Sequence, residues 1–345
     1  MKEKWNKLSQ KQAFWPVVIF LVILLFNGIA SKGEFFSLSI VEGHLYGRII
    51  DIFRNGSKLM ILAAGMTMVL ATGGTDISVG SVMAISGAIA CSVIKGNILP
   101  GLNGSVAAAI ILAVLAGIIC GLWNGLLVAK VKIQPIVATM ILLVAGRGIA
   151  QLITDGKIVT ITSDAYYFIN GGYILGLPFP LFIVIFLVGL LILFVGRTAF
   201  GLFLESVGCN SKASKFAGIQ VDKMLLAIYT ISGAFAAVAG LIESSGIKGA
   251  DCNNAGLNIE LDAILAVAIG GTNLMGGRFS IPASIAGALI VQSITTTVLA
   301  LGVPAAYIRV LKAVLIIVIC LSQSKEFKEM IAAPKAAKKR KVVGE

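Results

Sequence analysis

Ten apolar runs, parted by short polar or glycine-rich breaks, occupy most of this 345-residue chain. A helix needs about 20 apolar residues to cross a bilayer core. Lipid offers backbone N–H and C=O groups no partner, so a chain built of such runs has to fold as helices. The runs predict spans at 16–31, 58–72, 78–95, 105–129, 135–153, 180–196, 224–246, 262–275, 282–301 and 305–323. Charged residues make up 13% of the chain, about half of what a soluble domain carries. The expected fold is an all-α polytopic membrane protein of about ten transmembrane helices, some broken at glycine-rich turns. Residues 1–15 form an N-terminal segment, 16–323 the transmembrane domain and 324–345 a basic tail.

Two of the runs are short and stop at glycines. The run 58–72 ends at Gly73-Gly74-Thr75-Asp76, and 262–275 ends at Gly276-Gly277. An interrupted helix leaves backbone polar groups unpaired, which survives only against protein or a water-filled cavity. Short, interrupted spans therefore point to a substrate path. Candidate path residues are Thr72, Gly73, Gly74, Thr75, Asp76, Ser78, Gly80, Ser81 and Asn273. Two roles are open to Asp76, the one formal charge in 63–90: contact with a polar solute, or capping of the helix that begins near Ile77. Gly270-Gly271-Thr272-Asn273 echoes the first break, and we read the pair as two similar helix breaks.

Loop charge sets the orientation. With the N-terminus in the cytoplasm, the internal segments carry 18 Lys and Arg and the external ones 5. That asymmetry places both termini inside, and it accounts for the net charge of +12 without nucleic acid. The tail 334–342 has the look of a nuclear localisation signal, but a cytoplasmic basic tail beside anionic lipid explains it. The internal loop 197–223 alternates Glu205, Lys212 and Lys215 with Phe203, Val207, Phe216 and Ile219, which predicts short amphipathic helices at the surface. Gly117, Gly121 and Gly125 recur every four residues, as in a helix that lets a neighbour approach closely, with Asn124 beside them.

The five cysteines and the lone His44 have no metal-ligand spacing, and no catalytic motif is present, so catalytic and metal residues are both predicted as none. No phosphate-binding G-x-x-x-x-G-K-[ST] loop occurs. Ionisable groups within the runs are few, Arg147, Arg309 and Lys312 being the main ones. Ion-coupled transporters use such groups as relays, so a pump built on this chain draws its energy from another subunit.

The stretch GMTMVLATGGTDISVGSVMAISGAIA (65–90) resembles the bacterial ribose-type ABC transporter permeases. Two further matches follow in family order. One contains Gly208, Asn210, Ala213, Gly218 and Ile219; the other runs from Glu260-Leu261-Asp262 to Gly276-Gly277-Arg278. KIQPIVATMILLVAGRGIAQLITDGKIVT (132–160) and GADCNNAGLNIELDAILA (249–266) are most similar to galactofuranose-transporter permeases. The resemblance implies a multi-pass subunit of the bacterial inner membrane that translocates a monosaccharide and binds no cofactor of its own. It implies ATPase subunits that use ATP, an extracytoplasmic sugar-binding protein, and a second permease, identical or related. Glu205, Gly208, Asn210, Ala213, Gly218 and Ile219 would then couple to the ATPase, and Asp251, Asn253, Asn254 and Glu260 are candidates for docking the binding protein. An ion-coupled secondary transporter and a passive sugar facilitator are the competing readings.

Overall fold

The structure, a computed structural model, describes residues 13–31, 33–41 and 43–323. The tail 324–345 and all but the last three residues of the segment 1–15 lie outside the described residues. By internal packing the chain divides into residues 1–296 and 297–345. The first unit holds α1 (Phe14–Ala30), α2 (Arg48–Ala71), α3 (Val79–Lys95), α4 (Val106–Ala129), α5 (Pro135–Ile153), α6 (Asp164–Gly171), α7 (Phe179–Arg197), α8 (Ala199–Cys209), α9 (Ser211–Phe216), α10 (Val221–Gly246) and α11 (Ile259–Ile269). It also holds most of α12 (Ile281–Ala300). The second unit contains the end of α12, a turn at Gly302 and α13 (Ala305–Gln323).

Polar residues start these helices where the sequence turns apolar. Ser105 Oγ accepts from Ala108 N at the head of α4, and Pro135 opens α5 in the position where its missing N–H costs nothing. Thr198 and Asn210 cap α8 and α9. Among the described residues, five helices are long and apolar enough to cross a membrane: α4, α5, α7, α10 and α12.

Helix α10 is the centre of the first unit, packing against α2, α3, α4 and α6. Every residue of α2 from Leu59 to Ala71 is buried, and α3 is buried nearly throughout. Helices that are apolar all round belong inside a bundle. The outer helices α4, α5 and α7 turn large apolar side chains outward, Ile119, Val144 and Phe186 among them, as suits lipid or another subunit. The four-residue glycine spacing on α4 is the seam with α10. A Cβ on Gly121 would lie 2.3 Å from the Tyr229 carbonyl oxygen, and one on Gly233 of α10 2.3 Å from that of Gly117. Backbones this close leave room for no side chain.

Two spans differ from their expected bounds. The second begins at Arg48 instead of residue 58. The charges of its first turns hid it: Arg54 Nε donates to the Asn170 carbonyl at 3.2 Å, and its guanidinium lies over the Tyr173 ring. The span expected at 262–275 is helical only over Ile259–Ile269. Eleven residues at about 1.5 Å each reach roughly half of a bilayer core.

Between the spans lie three small antiparallel pairings. Strand β1 (Ser39–Val41) pairs with β2 (His44–Tyr46), and β4 (Tyr173–Ile174) with β5 (Leu177–Pro178). Strand β3 (Val159–Thr160) pairs with β6 (Gly249–Ala250), Val159 opposite Ala250, and so ties the segment after α5 to the segment after α10.

Candidate functional site

The first break folds inward. Asp76 is 2% exposed, and both its carboxylate oxygens are engaged. Oδ1 accepts from Ser78 N at 3.0 Å and Ser78 Oγ at 2.7 Å; Oδ2 accepts from Ser232 Oγ of α10 at 2.9 Å. Asn124 Nδ2 of α4 donates to Ser78 Oγ at 2.8 Å, and Ile77 N donates to Thr139 Oγ1 of α5 at 3.3 Å. Ser81 Oγ reaches the Leu142 carbonyl at 3.0 Å. The carboxylate thus ties the break to α10, and groups of α4 and α5 bond the neighbouring Ser78 and Ile77, which supplies partners to a backbone that has left its helix. Gly74 fits only because it has no side chain: a Cβ would lie 2.7 Å from the Tyr229 hydroxyl.

Of the candidate path residues, Gly74, Asp76, Ser78, Gly80 and Ser81 are buried within the first unit, while Thr72, Gly73, Thr75 and Asn273 keep surface. Asn273 Oδ1 accepts from Met275 N at 3.0 Å and so shapes the second break. The two breaks touch, as Gly277 N donates to the Ala71 carbonyl at 2.9 Å.

A second polar cluster holds the segment between α10 and α11. Arg147 Nη1, from α5, donates to the carbonyls of Cys252 at 3.0 Å and Ala255 at 2.5 Å. From the other side, Glu243 Oε1 accepts from Gly256 N at 3.3 Å while its Oε2 sits 3.4 Å from Lys58 Nζ. Gly256 in turn lies against the first turn of α3, where a Cβ on Gly80 would come within 2.3 Å of the Gly256 carbonyl oxygen. The segment is therefore held between α5 and α10, and α11 starts beside Gly80.

The docking candidates separate. Asn253 and Asn254 are exposed and Asp251 is half-buried, while Glu260 is 8% exposed, with Oε2 close enough to Gly80 to exclude a Cβ there. Glu260 is thus part of the interior, not of a docking surface. Its place in the first turn of α11 faces it inward, toward Gly80. Asp251 accepts from the Asn254 side chain and from the N–H groups of Asn253 and Asn254.

The loop 197–223 folds into α8 and α9, as its amphipathic pattern predicts. Asn210, Ala213 and Gly218 are exposed, and Glu205, Gly208 and Ile219 are half-buried. Asn210 is the cap of α9, its Oδ1 accepting from Ala213 N at 3.0 Å. Phe216 is 93% exposed. The sequence reading singled out neither Ser232, Thr139 and Tyr229 nor Lys58 and Glu243. Each is a polar or charged residue within or at the edge of an apolar run, and that is the signal they offer.

The family model described as branched-chain amino acid transport system / permease component matches residues 48–320, from the start of α2 into α13. The chain belongs to this family. It is 45% identical to the galactofuranose transporter permease protein YtfT of Escherichia coli (strain K12) over 92% of both chains. It is 37% identical to the fructose import permease protein FruF of Bifidobacterium longum, covering 95% of this chain and 92% of that one. With the ribose import permease protein RbsC of Haemophilus influenzae the identity is 33%, over 92% and 94% respectively. No solved structure matches.

Proposed function

We propose that the chain is the permease subunit of an ATP-driven importer for a monosaccharide, a furanose sugar of the galactofuranose kind first among them. The observation that carries this reading is similarity to sugar permeases along more than nine-tenths of the chain, at 45% identity to the galactofuranose relative. Both termini are cytoplasmic in this reading. Residues 251–258 and the half-length α11 make one crossing between them, which keeps ten crossings in all. The partners are a pair of ATPase subunits, a second permease and an external sugar-binding protein. Closure of the ATPases on ATP moves α8 and α9, and the spans rock so that the path opens to the other side. Within it, Thr72, Thr75 and Asn273 keep surface to pass hydroxyls along, while Asp76, bonded to Ser78 and Ser232 and not to the N–H groups of the α3 first turn, holds the break.

Uptake in proteoliposomes tests this. The permease, its ATPase and the second permease are reconstituted and supplied with the binding protein and labelled galactofuranose, fructose or ribose. Uptake that needs both internal ATP and external binding protein is the expected result. Downhill flux through the permease alone makes it a facilitator, and uptake that collapses with an ion gradient makes it a secondary transporter.

The ATPase contact has its own test. A phenylalanine 93% exposed at the end of α9, among Lys212, Lys215 and Ala217, is an anchor without a pocket in this chain. Phe216→Ser is expected to lower recovery of the ATPase with the purified permease at least tenfold while leaving the permease's own melting temperature unchanged. Undiminished recovery would move the ATPase contact elsewhere.

A further inference from the structure

We propose that the backbone contact among Gly73, Gly208 and Gly276-Gly277 is the joint through which the ATPase-facing helices move both breaks as one body. It rests on the importer reading above, and assigns Gly208 a role inside the permease, not on the ATPase surface.

Three segments far apart in sequence meet here with no side chain between them. Gly208 is the penultimate residue of α8, Ala71 ends α2, and Gly276-Gly277 leads into α12. A Cβ on Gly208 would fall 1.8 Å from the Ala71 carbonyl oxygen and 2.6 Å from Gly277 N. A Cβ on Gly276 would fall 2.8 Å from Gly73 N and 2.9 Å from the Gly208 carbonyl oxygen. Gly73, Gly276 and Gly277 have φ of 76°, 90° and 99°, in the left-handed region that other residues rarely adopt. The hydrogen bond from Gly277 N to the Ala71 carbonyl and the Glu205–Arg278 ion pair at 3.7 Å bridge the same three segments.

The mechanical consequence follows from the absence of side chains. A contact between side chains absorbs a small displacement by changing rotamers. Backbones at van der Waals distance have no such slack, and close packing transmits the shift. A push on α8 therefore carries the end of α2 and Gly276-Gly277 with it, and through them one end of each break. This explains why the two breaks are built from glycine on both sides of one contact point.

Two measurements test the joint, with wild-type uptake as the separate control for the importer reading. Gly208→Ala adds a single methyl group. The complex is expected to retain the ATPase and hydrolyse ATP, while sugar imported per ATP hydrolysed falls at least tenfold. A ratio within twofold of wild type overturns the proposal. The second measurement leaves the joint intact. Spin labels are placed at Cys209, which is exposed, and at Met275→Cys, 83% exposed, in a chain whose other cysteines are replaced. Dipolar broadening between them is expected to be the same in nucleotide-free and ATP-trapped complexes. Over the same change, the distance from Cys209 to Leu175→Cys, 90% exposed beyond the far end of α7, shifts. Separation of the Cys209–Met275→Cys pair on ATP binding would show that the segments move independently and would overturn the joint even if Gly208→Ala failed to fold.

Discussion

Replacing Asp76 with alanine is expected to destabilise the protein by about 3 kcal/mol or more, while asparagine costs less than about 1 kcal/mol. The difference follows from the geometry of the first break. Alanine leaves Ser78 N, Ser78 Oγ and Ser232 Oγ without their acceptor in a buried site, and each stranded polar group costs about 1–3 kcal/mol. Asparagine keeps Oδ1 for the two groups of Ser78. Its Nδ2 takes the place of Oδ2, and the Ser232 hydroxyl turns to accept from it. The measurement is thermal unfolding of the purified permease for both variants, with uptake measured alongside. Asp76→Asn that unfolds like wild type and still transports would identify the carboxylate as the structural hub of the break. Asp76→Asn that is stable but dead for transport would mean the charge itself acts on the solute, and the structural role would be secondary.

The ten apolar runs of the sequence are ten helices of the structure, because lipid or a lipid-like interior leaves an apolar run no alternative. What the runs could not reveal is where charge is tolerated within a helix. Arg48, Asp51 and Arg54 look like loop residues until Asn170 and Tyr173, more than a hundred positions later, are seen to receive Arg54. The reverse holds for 270–277. Its composition is apolar enough to extend a span, but Gly271, Gly276 and Gly277 all sit at positive φ, and the backbone leaves the helix at Gly270. Glycine spacing was legible as close packing on α4, and the partner, α10, was not, since nothing in 117–125 names Gly233. The candidate site divides the same way. Local signals such as the Gly-Gly-Thr-Asp break mark the place, but Ser232, which bonds Asp76, comes from α10, and the groups that bond the neighbouring Ser78 and Ile77 come from α4 and α5; only the packing brings them there.

Arg147 offers the other large effect. It reaches two carbonyls with one nitrogen, on a segment that has no regular secondary structure of its own between Ala250 and Ile259. Arg147→Met keeps the apolar stem and removes the donor. The Cys252 and Ala255 carbonyls then lose their partner, and Glu243 and Glu260 lose a neighbouring cation. Arg147 is half-buried, and each of its charge-assisted hydrogen bonds is worth about 1.5–3 kcal/mol. Here part of that cost is avoided by release of the segment, so local opening precedes global unfolding. Cys252 reports the opening directly: it is 5% exposed, with its thiol donating to the Ala150 carbonyl at 3.2 Å. In a chain whose other cysteines are replaced, maleimide labelling of Cys252 is expected to speed up at least tenfold in Arg147→Met. Arg147→Lys, one point donor on a shorter reach, is expected to fall between the two. Labelling as slow as wild type in Arg147→Met would mean that Glu243 and the β3–β6 pairing hold the segment alone. In that case the start of α11 is fixed by α10 and not by α5, and motion of α5 would leave α11 where it is.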